Sequence, residues 1–314
     1  MKGTIIKAAR FSGDRVYRAV LAGAATLVFL VVALIVYETT RGAGLSLRKF
    51  GLGFLTQTTW DPVAEKFGAL PYVYGTLVSS ALALLLAVPL GVGTAVYLAE
   101  IANRRLGPIV SFVVELLAAI PSIVFGIWGF FVLAPWLRAW IEPWLIAHFG
   151  FLPLFRGTPF GIGMLNAGIV LAVMIVPTIV SISREVLMAT PRSLREAALA
   201  LGATPAEAIG VALEAARPGI LGSVILALGR ALGETMAVTM VIGNTNRISA
   251  SLLDPGATMA SIIANEFTEA TSPLYLSALV EIALVLFAIT IVVNGLARIL
   301  VYWATGGRRI AAVA

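Results

Sequence analysis

Six stretches of this chain are long and apolar enough to cross a bilayer, and that constrains its fold more than any single motif. A membrane-spanning helix needs about 20 mostly apolar residues. The candidates are residues 19–37, a stretch within the uncharged 67–99, 108–137 broken only by Glu115, a stretch within the uncharged 157–183, 219–243 with Arg230 and Glu234, and 274–297 with only Glu281. The composition agrees: 60% of the 314 residues are hydrophobic and 12% are charged, against about 25% charged in soluble domains. The first segment is too long for a secretory signal and has no small-residue cleavage site before Glu38. The expected architecture is an all-α integral membrane protein of six transmembrane helices.

Loop charge orients the spans. With the N-terminus inside, the inner segments hold Lys2, Lys7, Arg10, Arg15, Arg18, Arg104, Arg105, Arg184, Arg192, Arg195, Arg217, Arg298, Arg308 and Arg309. The outer ones hold Arg41, Arg48, Lys49, Lys66, Arg138, Arg156 and Arg247. Fourteen against seven favours both termini in the cytoplasm, and an even number of spans agrees with both ends lying on one side. The chain then divides into an N-terminal cytoplasmic segment 1–18, a transmembrane domain 19–303 carrying a cytoplasmic loop 184–217, and a tail 304–314. The outer loop 135–149 is read as an interfacial helix, with Trp136, Trp140 and Trp144 four residues apart.

The chain lacks the chemistry of several enzyme classes. It has no cysteine and one histidine, His148, so thiolate catalysis and His-pair metal sites are excluded. No glycine-rich phosphate-cradling turn precedes any of its four lysines, Lys2, Lys7, Lys49 and Lys66. No catalytic or metal-ligating set, no bound cofactor and no nucleic-acid partner are expected.

Two features stand out. Residues 183–218 are too polar to span, yet carry helix punctuation. Ser193 and Glu196 have capping-box spacing, and so do Thr204 and Glu207. Leu194, Ala197, Ala198 and Leu201 fall on one face. Gly202 stands where a helix end favours positive φ. Two short helices with a sharp turn at Gly202 are expected. The second feature is "GRALGETMAV" at 229–238, where Arg230 and Glu234 lie within an apolar span. Each charge costs about 2.5–3.5 kcal/mol at mid-membrane. Four residues apart on one helix they share a face and can neutralise each other. Their order is the less favourable one for helix stability, so a role in binding or release of an anion competes with a buried ion pair. For the other intramembrane charges, Glu115 and Glu281, a structural role is expected. Prolines 89, 121 and 177 fall inside spans, where they kink or break helices. Broken helices in transporters can aim their N-termini at anions, which makes Pro121 and Ser122 pathway candidates.

Glu196-Ala197-Ala198 followed by Gly202 resembles the Glu-Ala-Ala loop of ABC-importer permeases. The likeness departs after Gly202, where Ala212-Leu213-Glu214-Ala215 stands in place of Ile-x-Leu-Pro. Together with "AAIPSIVFGIWG" (118–129), "PRSLREAALALGAT" (191–204) and "GRALGETMAVTMVIGN" (229–244), the chain resembles the permeases of the phosphate-specific ABC importer. "FGLGFLTQTTWDP" (50–62) resembles the PstC-type member more than its PstA-type partner. The resemblance implies a type I importer (MetI-like) fold in a bacterial inner membrane. Its implied partners are a second homologous permease, a PstB-type ATPase dimer that binds ATP-Mg, a PstS-type phosphate-binding protein, and lipid. It also implies that Glu196, Ala197, Ala198 and Gly202 couple the chain to the ATPase, and that Arg230 and Glu234 lie on the pathway. A permease for another oxyanion, a stand-alone anion carrier and a membrane enzyme remain as alternatives.

Overall fold

A computed structural model describes residues 10–304 except Arg104. Lys2, Lys7, Arg104, Arg308 and Arg309 of the charge count, and the tail beyond residue 304, lie outside the described residues. These residues form helices and loops, with no strand among them. Six helices are long and apolar enough to cross a membrane. They are α1 (Arg10–Gly42), α3 (Leu70–Ile101), α5 (Ser122–Phe149), α6 (Met164–Ala189), α8 (Pro205–Leu232) and α11 (Pro273–Ala304). Five shorter helices complete the set: α2 (Gly44–Phe50), α4 (Leu106–Ala119), α7 (Arg192–Ala200), α9 (Met236–Val241) and α10 (Met259–Glu266). The face carrying residues 190–204 is hereafter the lower face, and the opposite one the upper.

The six expected spans are present, but the third and the fifth have clearly different limits. The 108–137 span is interrupted: α4 ends at Ala119, Ile120 and Pro121 are extended (ψ 128° and 141°), and α5 begins at Ser122. α5 then continues to Phe149, so the tryptophan-rich 135–149 prolongs a span and is not a separate interfacial loop. Two wide π turns, Gly129–Leu133 and Leu137–Ile141, let this helix run on past its prolines. Trp136, Trp140 and Trp144 stay exposed along it. The fifth span starts at Pro205, because the second helix of the 183–218 loop passes through Pro218 without interruption. The same span stops at Leu232, short of the expected 243. Pro89 and Pro177 lie inside continuous helices.

α6 is the central helix. Its core-facing side includes Val170, Leu171, Ile175, Ile179 and Val180, each at most 1% exposed. Val170, Leu171, Ile175 and Ile179 pack with Ala83 and Ala87 of α3 and Ala227 and Ala231 of α8. Alanine facing branched aliphatics lets the helices approach closely, the usual basis of packing in lipid. Between α6 and α8 a Ser183–Ser223 hydrogen bond of 2.9 Å satisfies two buried hydroxyls. The upper end of α6 is closed by the irregular segment after α9. Gly163, Met164 and Leu165 donate to the carbonyls of Val241 (3.0 Å), Asp254 (3.2 Å) and Leu252 (2.7 Å). Non-helical backbone at this depth is tolerated because it is buried in protein.

A second core lies at the upper face. Trp60, Phe67 and Tyr72 meet Tyr275 of α11, with Phe67 and Tyr275 stacked at 5.3 Å. Glu266 of α10 accepts from Trp60 Nε1 (2.6 Å) and Tyr275 OH (2.5 Å). One carboxylate oxygen therefore ties the 51–69 segment to α10 and α11. Trp60→Phe keeps a ring and removes one donor to a charged acceptor, a bond worth about 1.5–3 kcal/mol. The variant is expected to unfold at lower temperature in detergent, with no change in the helix content of the folded form. An unaltered melting curve would show that this bond carries no stability.

α1 stands apart. None of its most apolar window is buried, and its fixed contacts come at its end, where Ser277 Oγ donates to the Gly42 carbonyl (2.8 Å). Glu281 is 3% exposed, has no ion-pair partner among the described residues, and leaves one oxygen unbonded. Glu115 is exposed on α4 and shares a narrow crevice with Ser111, Ser181 and Arg184 without forming an ion pair.

Candidate translocation and coupling sites

The segment 229–238 does not form one helix. α8 ends at Leu232, residues 233–235 turn, and α9 begins at Met236. Arg230 therefore lies in the last turn of α8. Glu234 Oε1 accepts from the backbone N–H of Ala237 at 3.3 Å, at the start of α9. The expectation of a shared helical face is corrected: no Arg230–Glu234 ion pair forms. The break supplies the reason. A helix carries partial negative charge at its C-terminus and partial positive charge at its N-terminus, and a charge of opposite sign there contributes about 0.3–1 kcal/mol. Arg230 and Glu234 each sit at the favourable end of a different helix. The sequence order that is poor within one helix is right for two.

This leaves Arg230 exposed, with no hydrogen bond or ion pair among the described residues. Asn294 of α11 faces the preceding residue, Gly229. Glu234 is half-buried. Pro121 and Ser122 lie at the second break, between α4 and α5. The two breaks belong to one packed region: Ile120 and Phe125 share a core with Ala227, Ala231 and Ala237. α5 lies along α9 with the same chain direction, Gly126 against Ala237 and Met240, Gly129 against Val241. A side chain at Gly126 would start 3.0 Å from the Ala237 Cα, so this close approach requires glycine.

On the lower face, α7 begins at Arg192 with Pro191 before it and no side-chain cap. The Ser193–Glu196 capping box does not form, because Ser193 already lies inside the first turn. The Thr204–Glu207 box does form. Gly202 has φ +89°. Around it Gly202 N–H donates to the Leu199 carbonyl (3.0 Å) and Ala203 N–H to that of Ala198 (3.1 Å). This is the paired 6→1 and 5→2 closure of a Schellman end. Glu196 and Ala197 are exposed and Ala198 is half-buried. Leu194, Leu199 and Leu201 are also exposed, Leu201 at 90%. A short rigid helix thus presents apolar and acidic side chains outward from the lower face.

One residue of this region was not picked out from the sequence. Arg195 Nε donates to both oxygens of Glu100 (3.1 and 3.0 Å), and its Nη2 also pairs with Glu100 Oε1. Nη2 reaches the Leu187 carbonyl (3.0 Å) and Nη1 that of Thr190 (3.1 Å). Both side chains are largely buried, at 19% and 9% exposed. Ninety-five residues separate the partners, so no local pattern could pair them.

Residues 87–304 match the family model described as "Binding-protein-dependent transport system inner membrane component". Relatives named "Phosphate transport system permease protein PstC" include one from Mesorhizobium japonicum, 48% identical over 91% of this chain and 89% of its own. Another, from Haemophilus influenzae, is 46% identical over 88% of this chain and 89% of its own. Among solved structures, one of the MetNI methionine ABC transporter in an inward-facing conformation aligns at TM-score 0.51 and 21% identity, covering 80% of this chain and 95% of that one. A bacterial alginate ABC transporter aligns at TM-score 0.62 and 16% identity, covering 93% and 97%. These structural likenesses speak to the fold, a type I ABC-importer permease. The chain belongs to the binding-protein-dependent inner-membrane transport components, and within them to the PstC permeases.

Proposed function

We propose that this chain is the permease subunit that forms half the pathway of an ATP-driven phosphate importer, with Arg230 as its anion contact. The observation that carries the reading is an unpaired arginine at a helix break, in the last turn of an apolar span. An arginine in lipid is expensive, and here no carboxylate offsets it. A guanidinium offers planar paired donors that fit phosphate oxygens. Glu234, held at the start of α9, leaves Arg230 open to an anion and places a negative charge nearby that favours release. Pro121 and Ser122 shape the neighbouring break. One arginine, rather than a cage of them, keeps binding weak enough for passage.

In this reading six spans make half a path, and the second half comes from a PstA-type permease. Exposed Glu196 and Ala197, with Ala198 and the turn at Gly202, form the coupling contact with a PstB-type ATPase dimer, where ATP-Mg binds. A PstS-type protein delivers phosphate on the upper, outer face. The distribution of Lys and Arg supports cytoplasmic N- and C-termini. Phosphate itself rests on the PstC relatives, since arginine chemistry serves sulfate or molybdate equally well. The decisive experiment is uptake of radiolabelled phosphate by the complex in proteoliposomes, with sulfate and molybdate as competitors. ATP-dependent phosphate uptake that a tenfold excess of either competitor leaves within twofold is expected. Uptake of another oxyanion in preference would reassign the substrate, and uptake without the ATPase would make the chain a stand-alone carrier.

A further inference from the structure

The arginine beside the Glu-Ala-Ala residues points inward, away from the surface that α7 presents. We infer that Arg195 and Glu100 form a clutch that carries motion of α7 into α3 and α6. The inference rests on the proposed coupling to an ATPase.

The chain trace alone joins α7 to two spans. Residues 190 and 191 connect it to α6, and the turn at Gly202 connects it to α8. Both connections are short, but a turn and an extended dipeptide are hinges, and a push on α7 alone would bend them. Arg195 removes that freedom. Its three nitrogens bond a side chain on α3, the Leu187 carbonyl in the last turn of α6 and the Thr190 carbonyl just beyond it. α7 is thereby fixed at mid-length to two helices of the packed core, α3 and α6, and Thr190, the hinge residue, is itself one of the acceptors.

The chemistry suits a mechanical link. Guanidinium and carboxylate bond in a fixed planar geometry, so the contact resists rotation as well as separation. Glu100 lies in the π turn Tyr97–Ile101 that ends α3, a local irregularity of the kind found at functional positions. Stability is a weak explanation for such a pair, because burying two charges offsets much of their attraction. The crevice around it is lined by Arg192 and Glu196 as well as Arg195 and Glu100. The clutch residue Arg195 is thus the immediate neighbour of the coupling residues Glu196, Ala197 and Ala198 on one short helix. Arg195 is a positioning residue: it touches neither substrate nor nucleotide.

The test uses the whole complex of both permeases, ATPase and binding protein in proteoliposomes. It compares Arg195→Gln, Glu100→Gln, the double variant and Arg195→Lys. A single glutamine leaves a buried charge unpaired and can impair folding, whereas the double variant leaves none, so it is the decisive one. The double variant is expected to assemble with the ATPase and hydrolyse ATP within threefold of the parent, while phosphate transported per ATP falls at least tenfold. Because the two side chains act as one unit, it should couple no worse than either single variant. Arg195→Lys keeps the charge and should recover at least a third of the parental coupling ratio. A double variant with phosphate per ATP within twofold of the parent would overturn the clutch. Loss of the ATPase from the double-variant complex would also overturn it, making the pair part of the docking scaffold while leaving the coupling loop intact. If the unaltered chain fails to retain an ATPase, the coupling reading falls, and the clutch with it.

Discussion

Replacing Arg230 with alanine should lower phosphate uptake at least a hundredfold while the complex still assembles. The side chain makes no hydrogen bond or ion pair among the described residues, so its loss breaks no internal polar contact. What it removes from α8 is a favourable charge at the helix end, about 0.3–1 kcal/mol. That is small beside the total stability of a folded chain, about 5–15 kcal/mol, so truncation leaves the folded chain intact. Against an anion the balance reverses. The loss of two parallel charge-assisted hydrogen bonds, at about 1.5–3 kcal/mol each, corresponds to a factor of a hundred or more in binding. Arg230→Lys keeps the charge but not the planar fork, and should fall between. The readouts are uptake in proteoliposomes and recovery of the intact complex on size exclusion. An alanine variant that assembles and transports within threefold of the parent would remove Arg230 from the pathway. Glu234→Gln provides the contrast. The amide oxygen still caps Ala237, so assembly should be unchanged, and a change in uptake would report the missing negative charge.

Gly126→Val is expected to have the second large effect, through packing. An added Cβ would lie 2.9 Å from Met240 Sδ and 3.0 Å from Ala237 Cα. The methionine can swing aside. The backbone of α9 cannot, because Ala237, Val238 and Val241 are all at most 1% exposed and locked into the core. Overpacking of this kind costs about 1–3 kcal/mol. Here the strain falls on the six-residue helix that begins beside Glu234. Valine should lower the melting temperature in detergent and reduce uptake at least tenfold, with alanine showing a smaller effect of the same sign. Normal melting and normal uptake in Gly126→Val would mean that α5 and α9 are free to separate, and that their contact does not define the site.

Much of the architecture follows from local chemistry. Six apolar stretches demand six spans, since lipid offers backbone groups no partner outside a helix. The Thr204–Glu207 cap and the left-handed Gly202 were also legible, because capping and positive φ depend on a few adjacent residues. The first capping box was misread because Ser193 and Glu196 have the right spacing, while Pro191 starts the helix at Arg192. The tryptophan-rich 135–149 was misread for a related reason. Its composition suits an interface, but whether a helix stops there depends on how its backbone bonds continue, and two π turns carry it on.

Arg230 and Glu234 mark the boundary between the two kinds of information. Their identity, their spacing and their setting in an apolar span are properties of the sequence, and they flag a site. Whether they neutralise each other depends on whether the helix continues through Gly233, and packing of α9 against α5 and α6 decides that. Arg195 lies wholly on the far side of the boundary, because its meaning comes from Glu100, on another helix ninety-five residues away. Sequence by itself determined the membrane class, the number of spans and the position of the polar loop, because hydrophobicity and capping act over about twenty residues or fewer. Tertiary structure alone decided where helices break, which charges stay unpaired and which helix α7 grips, because those depend on contacts between segments far apart in the chain.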